Sequence, residues 1–148
     1  MTSTDLVTAR LTRALAAVGG ANVVLGAVLA RRGRTPAQRA FGQQTAAWGA
    51  VDLGIAALAA LASSRRKTAP TAARLRTILL VNAGLDVLYM AGGAHLAAHR
   101  SSLGGRLEPE VARGYGVAVV VQGAVLLALD LSHARALAPP VGRGRSGS

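Results

Sequence analysis

Residues 78–98 read ILLVNAGLDVLYMAGGAHLAA, a stretch with one aspartate and no lysine or arginine. A helix rising 1.5 Å per residue would cross ~30 Å over that length, the thickness of a bilayer's hydrocarbon core. Residues 14–30, 45–63 and 114–134 are also free of Lys and Arg, and the 17 basic residues of the 148-residue chain fall between and beyond these runs. Four apolar runs separated by basic segments predict an all-α fold, a bundle of four transmembrane helices. The expected spans are 11–30, 45–63, 78–98 and 114–134, in one membrane domain over 1–137. Residues 138–148 are rich in Gly, Arg and Ser and are expected to be a disordered tail.

Residues 1–9 read as a polar, frayed start. Basic or polar turns are expected at 31–36, 64–70 and 100–105. Glu108 or Glu110 suits the N-terminus of the fourth helix, and Pro139 and Pro140 stop it. Arg10 and Arg13 before a run ending Val28-Leu29-Ala30 also fit a secretion signal. The run contains Asn22 and exceeds an ordinary signal core, so it is read as a retained span.

The net charge of +11 raises the question of nucleic acid. Aromatic residues make up only 3%, no recognition motif is present, and the basic residues sit where loops would meet lipid headgroups. The expected partner is therefore the lipid bilayer, with no nucleic acid. The absence of cysteine removes disulfides, thiolate nucleophiles and cysteine metal sites. With the N-terminus inside, Arg10, Arg13, Arg65, Arg66, Lys67, Arg74, Arg76, Arg135, Arg143 and Arg145 are cytoplasmic. Arg31, Arg32, Arg34, Arg39, Arg100, Arg106 and Arg113 are outside. The excess favours both termini in the cytoplasm.

An internal repeat is visible. Phe41-Gly42 followed by Trp48-Gly49-Ala50-Val51 matches Tyr115-Gly116 followed by Gln122-Gly123-Ala124-Val125. The first and third spans match more weakly, Asn22 with Asn82 and Leu25 with Leu85. The unit is a helical hairpin used twice in parallel, with a pseudo-two-fold along the membrane normal.

Three of the six acidic residues, Asp52, Asp86 and Asp130, fall inside expected spans. A charged side chain at the bilayer centre costs roughly 2.5–3.5 kcal/mol on insertion scales, so these residues should turn inward and be satisfied. Helical spacing supports this. Asn82, Asp86, Tyr89 and Gly93 share a face of the third helix, and Gln44, Trp48 and Asp52 one of the second. Tyr115, Gln122, Asp130 and His133 line the fourth, and Gly19, Asn22 and Gly26 the first. The polar interior is expected to hold Asn22, Gln44, Trp48, Asp52, Asn82, Asp86, Tyr89, Gln122, Asp130 and His133. Such groups can be structural, bonding helix to helix, or can bind a cation, a proton or a small polar molecule.

Other chemistry is thinly represented. His95 and His99 lie toward one membrane face and His133 toward the other, so no shared metal or haem is expected. Ser132 points away from His133 on a helix, and no nucleotide or hydrolase fingerprint occurs. Neither a cofactor nor enzymatic activity is expected. Gly19-Gly20 and Gly92-Gly93 read as close helix contacts. Gly42, Ala46, Ala50 and Gly54 form a small-residue ladder on the second helix, opposite its polar face. That ladder is expected to pack helices, either in a homodimer or against another membrane protein.

The strings Phe41-Gly42 with Gln44, Trp48-Gly49 and Asp52, then Gln122-Gly123 with Leu126-Leu127, Asp130 and His133, resemble an uncharacterised family of small four-span bacterial membrane proteins. The resemblance runs from about Asn22 to His133. It implies the fold and carries no assigned activity. The Arg-rich, Ala-rich composition, with Lys67 the only lysine, fits a GC-rich bacterial genome. A bacterial cytoplasmic membrane is the expected location. The leading expectation is a membrane protein whose polar interior is structural or holds a small ligand. The alternatives are a proton- or cation-handling transporter or channel subunit using the aspartates, and an accessory subunit.

Overall fold

The structure, a computed structural model, describes residues 3–65, 70–99 and 107–138. Four helices follow in order: α1 Ser3–Arg32, α2 Pro36–Arg65, α3 Ala72–His99 and α4 Pro109–Ala136. Among the described residues there is no strand. Each helix is long and apolar enough to cross a membrane. Residues 139–148 of the expected tail, with Pro139 and Pro140, and Arg66, Lys67 and the polar turn at 100–105 lie outside the described residues.

Local chemistry sets the helix ends. The Thr35 hydroxyl accepts from the Gln38 amide at 3.1 Å, and the Gln38 side chain accepts from the Arg34 amide at 2.7 Å. This reciprocal cap, with Pro36 at the first helical position, starts α2. Thr71 caps α3 through the Arg74 amide at 3.3 Å. Glu108 precedes Pro109 at the start of α4.

From Ser3 onward, the expected frayed start at 1–9 is instead the first two turns of α1. Thr4 is buried, Val7 packs on a cluster of Leu79, Ala134 and Leu137, and the Thr8 hydroxyl bonds the Thr4 carbonyl at 2.9 Å. Tertiary contact thus holds helix where composition alone suggested none.

α1 packs along α2 and α3 along α4, giving two hairpins. The hairpins join mainly through α2 against α4. Small residues permit these approaches. A Cβ on Gly49 would stand 2.6 Å from the Gly19 carbonyl oxygen, and one on Gly116 would stand 2.5 Å from that of Gly93. Gly114 would strike the Ala37 carbonyl, where α4 meets α2.

The two hairpins are built alike. Gly42 abuts Gly26 and Ala30, as Gly116 abuts Gly93 and Ala97; Gly49 abuts Gly19 and Val23, as Gly123 abuts Asp86 and Met90. The shift is 74 from α2 to α4 (42 to 116, 49 to 123) and 67 from α1 to α3 (19 to 86, 26 to 93, 30 to 97). The match of Asn22 with Asn82 is therefore one heptad out of register. The structural counterpart of Asn22 is Tyr89, because backbone contact and not side-chain identity sets the alignment.

Burial is inverted relative to a water-soluble bundle. Leu58 is 69% exposed and Leu88 67%, while Asp52 is 1% and Gln122 5% exposed. Large aliphatic side chains face outward and small or polar ones face inward, the arrangement that lipid solvation favours.

Candidate functional site

At the bundle centre a hydrogen-bonded relay crosses three helices. Asn22 on α1 donates its Nδ2 hydrogen to Gln122 Oε1 on α4 at 2.8 Å, and Gln122 Nε2 donates to Asp52 Oδ2 on α2 at 2.7 Å. One amide side chain thereby uses its acceptor and its donor on separate partners. Nearer the start of α4, Tyr115 donates to Gln43 Oε1 at 3.0 Å. Gln43, absent from the expected stripe, takes this contact; Gln44 is half-buried and enters none of these bonds.

On the opposite seam, Trp48 of α2 meets Tyr89 of α3, ring centroids 5.9 Å apart and planes tilted by 60°. By the hairpin correspondence, Trp48 stands where Gln122 stands and Tyr89 where Asn22 stands. The amide bond between α1 and α4 and the aromatic contact between α3 and α2 are therefore pseudo-symmetry mates. The seams are unequal, for α1 and α4 make backbone contact more extensively than α2 and α3 do.

Beside the aromatic pair lies a cavity of about 320 Å³ reached by all four helices. Asp52, Asp86 and Asp130 line it, with Asn82, Trp48, Tyr89 and leucines including Leu11, Leu79 and Leu129. No Lys or Arg is in the lining. Asp86 is only 4% exposed, and its Oδ2 has no hydrogen-bond partner among the described residues; Trp48 Nε1 is in the same condition. The counterpart of Asp86 in the first hairpin is Gly19, which leaves room for α2 and contributes no charge.

The expected interior residues thus divide. Asn22, Asp52 and Gln122 bond to one another, and Trp48, Asn82, Asp86, Tyr89 and Asp130 gather with Asp52 around the cavity. His133 turns to its own helix, Nδ1 lying 2.8 Å from the Leu129 carbonyl oxygen and 3.2 Å from Ser132 Oγ, so the two neighbouring side chains meet where Ser132 was expected to point away. His95 and His99 stack on each other at 4.2 Å.

The small-residue ladder differs from its outward expectation. Gly42 and Ala46 seat α1, their backbones meeting Gly26, while Ala50 is exposed and Gly54 has nothing near it. Residues four apart advance by 40° around a helix, whereas residues seven apart return within 20°. Gly42, Gly49 and Ala56 are accordingly the buried line of α2. Gly19 and Gly93 make the expected close contacts; Gly20 and Gly92 meet nothing within 4 Å.

A larger cleft of about 390 Å³ lies between the start of α1 and the end of α2, lined by Thr8, Thr12, Arg13, Asp5 and Ser63 among others. Its charges are of both signs and lie at the bundle end.

The fold and the span composition define a class, small four-helix chains whose helices are each long and apolar enough to cross a membrane. Within that class, residues 14–131 match a family described as Family of unknown function (DUF6992), and the chain belongs to it. Comparison with curated proteins and with solved structures finds no match.

Proposed function

We propose that this chain is a non-enzymatic multi-pass protein of a bacterial cytoplasmic membrane, both termini cytoplasmic, whose carboxylate-lined cavity takes a small positively charged guest. The observation that carries the reading is Asp86, whose buried Oδ2 has no hydrogen-bond partner among the described residues and which lines a cavity with two further aspartates and no basic residue. Burying an uncompensated carboxylate is costly, and a cationic guest or a proton removes that cost. The satisfied relay of Asn22, Gln122 and Asp52 fits the structural role instead, fastening α1, α4 and α2.

A second reading, a proton or cation path, draws support from Asp130. It lines the same cavity about 12 Å along α4 from Gln122, two turns toward the cytoplasmic end. Both readings make Asp86 the residue to test. In detergent, acid or an added monovalent cation, inorganic or organic, should raise the unfolding temperature of the wild type, and Asp86→Asn should abolish that response. A wild type indifferent to every cation and to acid, with Asp52→Asn and Asp86→Asn equally stable, would make the carboxylates packing residues.

The cysteine-free chain also allows the topology to be read directly. Arg34→Cys should react with a membrane-impermeant maleimide in intact cells, and Ser64→Cys only after permeabilisation. The reverse pattern would invert the orientation. The outward-facing Ala50 and Gly54 are where a second copy or another membrane protein would approach α2.

A further inference from the structure

The carboxylates share their cavity with two aromatic rings and aliphatic walls, and that combination discriminates among cations. We propose that the guest is a lipophilic organic monocation, a quaternary or tertiary ammonium, with its charge at Asp86 and its apolar body along the leucines. This rests on the reading that the cavity takes a positive guest, and it specifies the chemistry of that guest.

Size argues against a bare ion. The cavity of about 320 Å³ is roughly ten times the ~30 Å³ share of one water in the liquid, so an inorganic ion would leave the leucine walls uncovered. Among the described residues no three His, Cys, Asp or Glu side chains stand close enough to hold a metal ion. Hard cations need several converging oxygens, and here one Asp52 oxygen is committed to Gln122.

The aromatic pair supplies what an ammonium prefers. A cation within about 6 Å of a Trp or Tyr ring face is attracted by the ring quadrupole, more strongly where water is excluded. Trp48 and Tyr89, tilted to each other, offer two ring surfaces at the edge of a space that Asp86 also lines.

Access follows from the unequal seams. Asn82 and Tyr89 are exposed on the α2–α3 side, Tyr89 by 47%. A guest dissolved in the bilayer would enter there. On the other seam the Asn22–Gln122 bond spans the equivalent position.

Trp48 is the only tryptophan, so its emission reports directly on the cavity. Tetrapropylammonium chloride is titrated into the full chain in detergent, for the wild type, Asp86→Asn and Tyr89→Leu. The expected result is a saturable change in wild-type emission, with the apparent Kd raised at least about tenfold by Asp86→Asn and about threefold by Tyr89→Leu. NaCl and KCl at equal ionic strength should leave the emission unchanged. A response to Na⁺, K⁺ or acid that Asp86→Asn abolishes, with none to tetrapropylammonium, would overturn the organic class and leave the cationic-guest reading standing. Silence toward every cation would overturn both. Should Asp86→Asn fail to fold, Tyr89→Leu decides the matter, since unchanged affinity there would remove the aromatic contact on which the proposal depends.

Discussion

Gln122 shows what a single side chain does in this interior. Its amide accepts from Asn22 and donates to Asp52, so truncating it strands two polar groups on two other helices. Stranding a buried group costs about 1–3 kcal/mol. Gln122→Leu should lower the unfolding midpoint in detergent by that order, whereas Gln44→Leu, which breaks none of these bonds, should stay within about 0.5 kcal/mol of wild type. Equal effects of the two would mean that the relay contributes nothing. The two stripes, one containing Asp52 and the other Gln122, were legible in the sequence from helical spacing. The pairing was not, because spacing along one helix says nothing of which residue on another helix stands opposite. Gln43 escaped for a related reason: it lies one residue off the stripe and faces Tyr115 only once α2 and α4 have docked.

At the scale of the helix, small residues seven apart set how the elements meet. Gly42, Gly49 and Ala56 form the buried line of α2, and Gly116 and Gly123 lie on the line that α4 presents to α3. A seven-residue spacing keeps a nearly straight seam between left-handed crossing helices. Gly49→Val and Gly123→Val would push side-chain atoms into a neighbouring helix. Each should destabilise the protein by about 1–3 kcal/mol, the usual cost of overpacking. Gly54→Ala and Gly92→Ala, with nothing within 4 Å of either added Cβ, should be neutral or stabilising by up to about 1 kcal/mol. Thermal unfolding of the four variants side by side checks the order. The four-residue ladder from Gly42 to Gly54 was the more conspicuous pattern in the sequence, yet only Gly42 is buried and Ala46 half-buried. The drift of 40° per step carries Ala50 and Gly54 away from α1.

For the whole molecule, duplication supplies the frame and divergence supplies the site. The same backbone contacts recur in the two hairpins, while the residues on the two seams have parted: an amide pair on one, an aromatic pair on the other. This makes a reciprocal prediction. Trp48→Gln with Tyr89→Asn rebuilds on the α2–α3 seam the pair that Gln122 and Asn22 form between α4 and α1. Each single substitution should destabilise. The double should be more stable than the sum of the singles by about 0.6–2 kcal/mol, the range for an interhelical hydrogen bond in a membrane. A double-mutant cycle in detergent measures that coupling, and strict additivity would mean that the seams are not equivalent.

The number of helices, their approximate spans and the inward turn of the aspartates followed from the sequence alone, because a bilayer imposes a length and a polarity that a single chain must display locally. The repeat of the second and fourth helices was also visible, since Gly42 and Gly49 recur as Gly116 and Gly123. Tertiary structure alone decided the register of the first helix against the third, the helical start at Thr4, the split between a bonded relay and an unpartnered Asp86, and the placing of the cavity on one seam. These depend on which surfaces meet across distances that the chain covers only by folding, and a periodicity confined to one helix carries no information about its neighbour.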